Sequence, residues 1–122
     1  MDEAVLREKG LGPMNRRLAS AENFCLLIGR RATLAPCANG VVHCVVFALT
    51  HSEVDKLYSE DSVSVYRPEA LTIRLGDGTV APALCFNLPS PPATEERNGD
   101  YALKLRALAE RIGLPPDYVA AI

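Results

Sequence analysis

The stretch from Thr50 to Pro68 carries the side chains with the clearest potential for chemistry, four acids and two tyrosines. A carboxylate can take a proton from one atom and return it to another, and a neighbouring tyrosine can bind the reacting group. The four acids are Glu53, Asp55, Glu60 and Asp61. The stretch therefore suggests acid–base chemistry, provided that one of these acids has no structural role.

Two of the four acids have structural explanations. The segment from Thr50 to Glu53, THSE, fits a capping box, in which Thr50 accepts from a backbone amide and Glu53 reaches back to the cap. Asp55 then falls on the solvated face of a short helix. Glu60 and Asp61 lie where this helix must give way to a turn, and they remain the candidates for chemistry.

Four apolar segments predict the strands that hold this region in place. The first two are expected to form an antiparallel hairpin across Asn39-Gly40, and the last two a hairpin across Asp77-Gly78. Pro82 in the last segment predicts an edge strand, because proline cannot donate to a ladder. The segments are Phe24–Pro36, Val41–Leu49, Leu71–Leu75 and Val80–Leu88. Strands therefore dominate the middle of the chain.

Helices are predicted at both ends of the chain. The first is short, with Asp2 as its cap and Gly10 as its end. The second is longer, with Asp100 as its cap and Gly113 as its stop. Its apolar stripe has helical spacing and consists of Tyr101, Leu105, Leu108 and Ile112. The sequence is thus expected to form a single α+β domain over residues 1–122.

The composition excludes several classes of function. A net charge of −2 and a pI near 5.7 give no reason to expect nucleic acid or an anionic membrane as a partner. No apolar run approaches the roughly 20 residues that span a bilayer. No signal-peptide pattern opens the sequence either, so we expect a cytoplasmic protein.

The cysteines are expected to be reduced thiols of the core, because three of the four lie in apolar segments and none forms a C-x-x-C pair. They are Cys25, Cys37, Cys44 and Cys85. His43 and Cys44 are adjacent, so in a strand their side chains would point to opposite faces. No metal site is expected.

The order of these elements resembles the γ-glutamylcyclotransferase-like family over nearly the whole chain. Residues Gly29–Thr50, GRRATLAPCANGVVHCVVFALT, look like that family's glycine-containing strand, its turn and its apolar strand, although Cys44 stands where glycine is usual. Tyr101 and the segment Gly113–Ile122, GLPPDYVAAI, look like the family's closing segment. The resemblance implies a small mixed β-barrel with flanking helices.

One element of the family pattern is absent. Family members carry an N-terminal strand that ends in tyrosine-glycine-serine-asparagine, whereas this chain begins with MDEAVLREKG, which looks like the residues after that motif. We therefore expect that the first strand is missing, through truncation or a misassigned start codon. In the family, backbone amides of that loop bind the carboxylate end of the substrate.

The resemblance implies an enzyme that cyclises a γ-glutamyl amine or amino acid to 5-oxoproline and releases the free amine. One carboxylate would act as base and then as acid, without a metal or an organic cofactor. Spacing from Tyr66 favours Glu60 as this residue, and spacing from Leu57 makes Asp61 the runner-up. Tyr101 and Tyr66 would bind the small-molecule substrate.

Two alternatives stay open beside this enzyme. The chain could be a non-catalytic module on the same fold that binds a small molecule or a partner, with Glu60 and Asp61 as polar turn residues. It could also act on a different amide, since one fold hosts several chemistries. The leaving group and the oligomeric state do not follow from the sequence.

Overall fold

The computed structural model describes residues 3–60, 63–93 and 96–122, which contain four helices and four strands. In chain order these are α1 (Glu3–Glu8), β1 (Met14–Ile28), β2 (Ala32–Ala48), α2 (His51–Tyr58), β3 (Arg67–Leu75), β4 (Val80–Asn87), α3 (Gly99–Arg111) and α4 (Pro116–Ala120). Two residues singled out from the sequence, the cap Asp2 and the acid Asp61, lie outside the described residues.

The strands form one antiparallel sheet in the order β2-β1-β3-β4, with helices around it. This arrangement confirms the predicted α+β class. The predicted mixed β-barrel is wrong, because every described pairing is antiparallel and the sheet is open. A barrel closes when its outermost strands share a ladder, and no backbone ladder joins the two edge strands, β2 and β4, in the part of the chain that the structure describes.

β1 and β2 form a long hairpin that turns at residues 29–31. The antiparallel pairing is confirmed, but the predicted turn at Asn39-Gly40 is wrong. Asn39, with a φ of 64°, lies inside β2, opposite a register shift between Glu22 and Phe24. A residue with positive φ suits a bulge as well as a tight turn, and here the tertiary pairing selects the bulge.

Gly40 is needed at this bulge because the two backbones approach closely. A Cβ on Gly40 would lie 2.5 Å from the carbonyl oxygen of Phe24. Across the same point, Asn39 N–H donates to Oδ1 of Asn23 at 3.4 Å, and Asn23 also has a positive φ of 65°. The hairpin is therefore distorted on both strands at one level, and such bulges bend the strand that carries them.

β3 and β4 form the second hairpin as predicted, across the Asp77-Gly78 turn. Leu71 and Ile73 are buried while the residues between and after them are exposed, which matches the period-two pattern of the sequence. Pro82 of β4 pairs with Thr72 of β3, and β4 is an edge strand. The edge strand predicted from this proline is therefore also confirmed.

Side chains, rather than a ladder, connect the two sheet edges at one end. Asn87, only 2% exposed, ends β4 and accepts from Leu34 N–H of β2 at 3.0 Å through Oδ1. Thr33 is buried beside it, and its hydroxyl accepts from Leu88 N–H at 3.0 Å. These two polar residues join β2 to β4, so the open sheet is curved enough for its edges to meet there.

The core is divided among three clusters that fix the helices to the sheet. The largest, on one sheet face, contains Ala19, Ala21, Val42 and Ile73. The second joins α1 to α2 through Leu6, Leu11 and Leu57. The third joins α3 to α4 through Ala109, Leu114 and Val119. The elements on either side of Glu60 are thus held by apolar contacts that do not involve that residue.

Most of the helix ends lie where the sequence predicted them. Gly10 and Gly113 both have positive φ, as expected for residues that end helices. The cap of α3 is Asn98, whose Oδ1 accepts from Tyr101 N–H at 3.1 Å, and not Asp100 as predicted. None of the described helices has the length and apolar character that crossing a membrane requires.

A disulfide joins Cys25 of β1 to Cys37 of β2, so the prediction that these two cysteines are reduced is wrong. A turn at residues 39–40 does not bring Cys25 and Cys37 together, whereas the observed turn at residues 29–31 pairs the strand segments that contain them. Cys44 and Cys85 are free and partly buried, as expected. Since disulfides are typical of oxidising compartments, the cytoplasmic location stays a prediction.

Candidate functional site

Glu53 has the structural role that the sequence assigned to it. Its Oε1 accepts from Thr50 N–H at 2.9 Å, and the Thr50 hydroxyl accepts from Glu53 N–H at 3.2 Å, which completes the capping box. Its Oε2 accepts from Gly12 N–H at 2.6 Å. These backbone donors lower the pKa of the Glu53 carboxyl. A carboxylate with all of these bonds anchors α2 and is a poor proton carrier.

Glu60, the leading catalytic candidate, lies just after α2 and forms an ion pair with Lys9. Its Oε2 is 2.5 Å from Lys9 Nζ, and the two side chains are 43% and 29% exposed. The pair joins the end of α1 to the end of α2. Of the other candidate acids, Asp55 is exposed on α2 as predicted, and Asp61 is outside the described residues.

Tyr66, predicted to bind substrate, is held by a backbone contact. Its hydroxyl donates to the carbonyl oxygen of Ala32 at 2.7 Å. Burial raises the pKa of the Tyr66 hydroxyl, and repulsion from Tyr101 adds to this, while Arg31 opposes it. The hydroxyl is therefore neutral at physiological pH and fixed in position, and its lone pairs can accept a hydrogen bond from a ligand.

Tyr101, the second predicted binding residue, lies in the first turn of α3 and is 40% exposed. The stripe in which the sequence placed it predicts a ring that faces the core, and its exposure shows that this prediction is wrong. Leu105, Leu108 and Ile112 are partly buried. Tyr101, at the start of α3, is exposed because the surface against which the helix packs does not extend that far. Partial burial still raises the pKa of the Tyr101 hydroxyl.

The three residues predicted for the site have different partners in the described structure: Glu60 pairs with Lys9, Tyr66 bonds to Ala32, and Tyr101 lies in the first turn of α3. Tyr101 contributes, after burial, to the raised pKa of the Tyr66 hydroxyl. Among the described residues, no hydrogen bond or ion pair joins the Glu60 carboxylate to either tyrosine. The described contacts therefore do not link the predicted carboxylate to the predicted binding tyrosines.

A cavity of about 630 Å³, here called the sheet cavity, opens beside α2. Its walls come from the facing edge strands, residues 45–48 of β2 and 81–86 of β4, and from α2. Tyr58 lines it and stacks on Phe86 with 3.8 Å between ring centroids. Tyr58 precedes Glu60 by two residues, so the candidate carboxylate follows closely in sequence after a residue that lines this cavity.

Tyr58 lines the sheet cavity but was not among the site residues predicted from the sequence. Burial, with smaller contributions from Cys85 and Tyr66, raises the pKa of its hydroxyl to about 12. A signal was available, because Val54 and Tyr58 are four residues apart and so share the inner face of α2. The free thiols are no better placed for chemistry, since burial first and Cys85 second raise the pKa of Cys44 to about 11.

Comparisons with known proteins identify the fold. No protein-family model and no curated protein matches the sequence. An uncharacterized protein from Homo sapiens, loc79017, superposes with a TM-score of 0.78 at 17% identity, over 97% of this chain and 76% of that one. A γ-glutamyl cyclotransferase superposes with a TM-score of 0.76 at 16% identity, over 91% of this chain and 72% of that one.

This chain has the γ-glutamyl cyclotransferase-like fold. YkqA from Bacillus subtilis shares it, with a TM-score of 0.76 at 20% identity over 98% of this chain, which spans about half of YkqA, 48%. The fold places helix α2 and the following turn beside the open sheet. At these identities the similarity concerns the γ-glutamyl cyclotransferase-like architecture, and the chemistry must be argued from the residues themselves.

Proposed function

We propose that this protein cyclises a γ-glutamyl amine or amino acid to 5-oxoproline, with Glu60 as the single acid–base residue. The observation that carries the proposal is the fold shared with a γ-glutamyl cyclotransferase over 91% of the chain. Glu60 supports it because Glu53 is committed to the capping box, whereas the Glu60 carboxylate is partly exposed and, among the described residues, is paired with Lys9 alone.

The reaction needs one proton carrier and correct positioning. The α-ammonium of the substrate gives a proton to Glu60, and the amine then attacks the γ-carbonyl carbon of the same molecule. The new C–N bond closes the five-membered ring, and Glu60 gives its proton to the leaving nitrogen as the bond from that nitrogen to the carbonyl carbon breaks. The ring nitrogen loses its second proton to water, and the released amine takes up one proton from water. Because nucleophile and electrophile belong to one molecule, most of the rate acceleration would come from holding the two groups in the orientation that the reaction requires.

Lys9 occupies the position on Glu60 that the substrate ammonium would take. An ammonium already lies against the carboxylate, and the substrate ammonium would replace it with the same charge and hydrogen-bonding chemistry. Exposed ion pairs contribute only about 0–1 kcal/mol, so the exchange has a small cost. Tyr66 and Tyr101 would bind the glutamyl group, Tyr66 through its free lone pairs and Tyr101 through its partly exposed hydroxyl.

The substrate carboxylate would be bound by backbone amides near the sheet cavity. β2 and β4 are the sheet edges, so one side of each has no ladder partner among the described strands. Rows of amides can bind anions without a charged side chain. A further strand at this position would supply more of them, and the expectation of such a strand before α1 stays a prediction.

A second candidate is a non-catalytic module that binds a small molecule on the same fold. This candidate is favoured because, among the described residues, no hydrogen bond or ion pair connects Glu60 with Tyr66 or Tyr101. In that case Lys9 and Glu60 would simply join α1 to α2. The two candidates make opposite predictions for turnover and the same prediction for binding.

The deciding experiment measures 5-oxoproline released from a panel of γ-glutamyl amino acids and amines, by mass spectrometry, together with binding of the same compounds by calorimetry. The proposal predicts turnover that Glu60→Gln lowers by about 10²–10⁴-fold. Asp55→Asn, the same change on the exposed face of α2, should leave it intact.

The other outcomes separate the alternatives. Loss of turnover in Asp61→Asn with normal turnover in Glu60→Gln transfers the catalytic role to Asp61. Binding without turnover supports the non-catalytic module. Release of an amine without 5-oxoproline identifies a different amide reaction. Neither binding nor turnover with any member of the panel overturns both candidates.

A further inference from the structure

A second cavity lies between α1, α3 and β2 and is here called the α1–α3 cavity. It borders the sheet cavity, with which it shares Val45 and Phe47. Its volume is about 630 Å³, within the range of roughly 300–1,000 Å³ that is typical of small-molecule sites. None of the residues proposed for catalysis or substrate binding lines it. We propose that this cavity binds a small organic anion with an apolar body.

The apolar part of the cavity is a floor of half-buried side chains. Val45 and Phe47 contribute from β2, and Leu108 and Ile112 from the inner stripe of α3. In a site of this size such a floor accommodates an aliphatic or aromatic group and removes it from water, which is the main source of affinity for small ligands. The ligand therefore needs an apolar portion.

Among the described residues, the charged lining of the cavity contains more basic than acidic side chains. Its lining includes three arginines, Arg7, Arg16 and Arg111, and one acid, Glu3, which is paired with Arg7 at 3.0 Å. The whole chain has a net charge of −2, so this positive charge is concentrated locally against an acidic background. Guanidinium groups stay charged and bind carboxylate, sulfonate or phosphate groups through paired hydrogen bonds.

Helix stability explains only part of this arrangement. Arg7 and Arg111 lie in the last turns of α1 and α3, where a positive side chain interacts favourably with the helix dipole. Arg16 belongs to β1, at the register shift between Met14 and Arg17, and gains nothing from a helix. It is exposed, and within residues 3–60, 63–93 and 96–122 it has no ion-pair partner.

Arg16 is therefore the residue that best distinguishes a binding site from a set of helix-end charges. It brings a third guanidinium to the rim of an apolar cavity, at a position where neither the strand pairing nor a helix requires one. A ligand with one anionic group and an apolar body would contact Arg16 and the floor residues together.

The test uses 1-anilinonaphthalene-8-sulfonate, an aromatic anion whose fluorescence rises in apolar sites, and its uncharged analogue N-phenyl-1-naphthylamine. Loss of one charge-assisted hydrogen bond predicts that Arg16→Gln weakens binding of the anionic probe by at least about fivefold. Arg30→Gln is the matched control, because Arg30 is 90% exposed in the β1–β2 turn and does not line the cavity. It should change the dissociation constant by less than twofold.

Methyl-resolved NMR locates the probe. The proposal predicts shifts at Leu108 and Ile112, which line the α1–α3 cavity and not the sheet cavity, and weaker binding of the uncharged analogue. It is overturned if Arg16→Gln binds like Arg30→Gln, if both probes bind equally, or if the shifts occur at Ile73 and Leu84 in the sheet cavity. Melting temperatures check that each variant is folded, since unfolded protein also binds this dye.

Discussion

Lys9 and Glu60, which are 51 residues apart in sequence, form an ion pair with 2.5 Å between Nζ and Oε2. The pair joins the end of α1 to the turn that follows α2, beside the apolar contacts of Leu6 with Leu57. The apolar contacts already hold the two helices together. Lys9 and Glu60 can therefore separate and pair again without loss of the contact between α1 and α2.

The first prediction concerns Lys9→Gln. If the substrate ammonium replaces Lys9 at Glu60, removing Lys9 removes a competitor, so KM for a γ-glutamyl substrate should fall while kcat changes little. An exposed pair contributes at most about 1 kcal/mol, which limits the decrease in KM to roughly fivefold. Steady-state kinetics of 5-oxoproline release measures both constants.

Lys56→Gln is the control for this variant, because Lys56 is in the last turn of α2 and its charge is close to Gly10, but it is not paired with Glu60. Its KM should match that of the unmodified protein. A lower kcat with unchanged KM in Lys9→Gln would show instead that Lys9 takes part in the chemical step.

The second prediction concerns Glu53 and pH. Its folded-state pKa lies below the ordinary value of 4.5, chiefly because Thr50 N–H and Gly12 N–H donate to the carboxylate. The stability that this charge contributes is therefore fully present above pH 4.5 and is lost as the pH falls through the lower folded-state value. Glu53→Gln should have a lower melting temperature than the unmodified protein at neutral pH.

The difference in melting temperature should shrink as the pH falls below 4.5, since the unmodified protein loses the contribution that the variant never had. Thermal unfolding followed by circular dichroism across this range measures it. Asp55→Asn, on the exposed face of the same helix, should show no such convergence. A constant difference at all pH values would mean that the Glu53 charge has no part in the effect.

Glu53 also illustrates which features could be predicted from the sequence. Its role was predictable because a capping box involves residues three apart, and the period-two pattern of Leu71 and Ile73 was predictable for the same local reason. The partner of Glu60 was not, since Lys9 comes from a distant segment and meets it only after α1 and α2 pack. Local chemistry identified the candidate acid but could not give its surroundings.

The errors in the predicted fold have a similar origin. Asn39-Gly40 requires positive φ in either a turn or a bulge, and only the pairing of β1 with β2 decides between them. Whether the sheet closes depends on contacts between β2 and β4, which no spacing in the sequence encodes. Tyr101 has the correct helical spacing, yet its exposure depends on where the packed surface under α3 ends.

The third prediction concerns Asn87, which connects the sheet edges. Its Oδ1 accepts from Leu34 N–H, and the residue is 2% exposed. Asn87→Ala leaves a buried amide unsatisfied and a small cavity behind, so we expect the free energy of unfolding to fall by about 2–4 kcal/mol. Urea denaturation measures the change. Thr72→Ala, on the exposed face of β3, should change it by less than about 0.5 kcal/mol.

An effect of Asn87→Ala as small as that of Thr72→Ala would contradict this account of how β2 and β4 are joined. The expected loss should appear in the denaturation midpoint with an unchanged m-value, because the substitution alters stability without changing the surface that unfolding exposes.

The fourth prediction compares two tyrosines that the sequence treated alike. Tyr66→Phe removes a 2.7 Å hydrogen bond to the Ala32 carbonyl oxygen, so it should lower the free energy of unfolding by about 1 kcal/mol. Tyr101→Phe removes a hydroxyl from a residue that is 40% exposed, and stability should be unchanged. Under the proposed function both variants raise KM for a γ-glutamyl substrate, because both remove a hydroxyl that contacts it. Chemical denaturation and steady-state kinetics on the same samples separate the two effects, and an unchanged KM in Tyr101→Phe would remove that residue from the binding site.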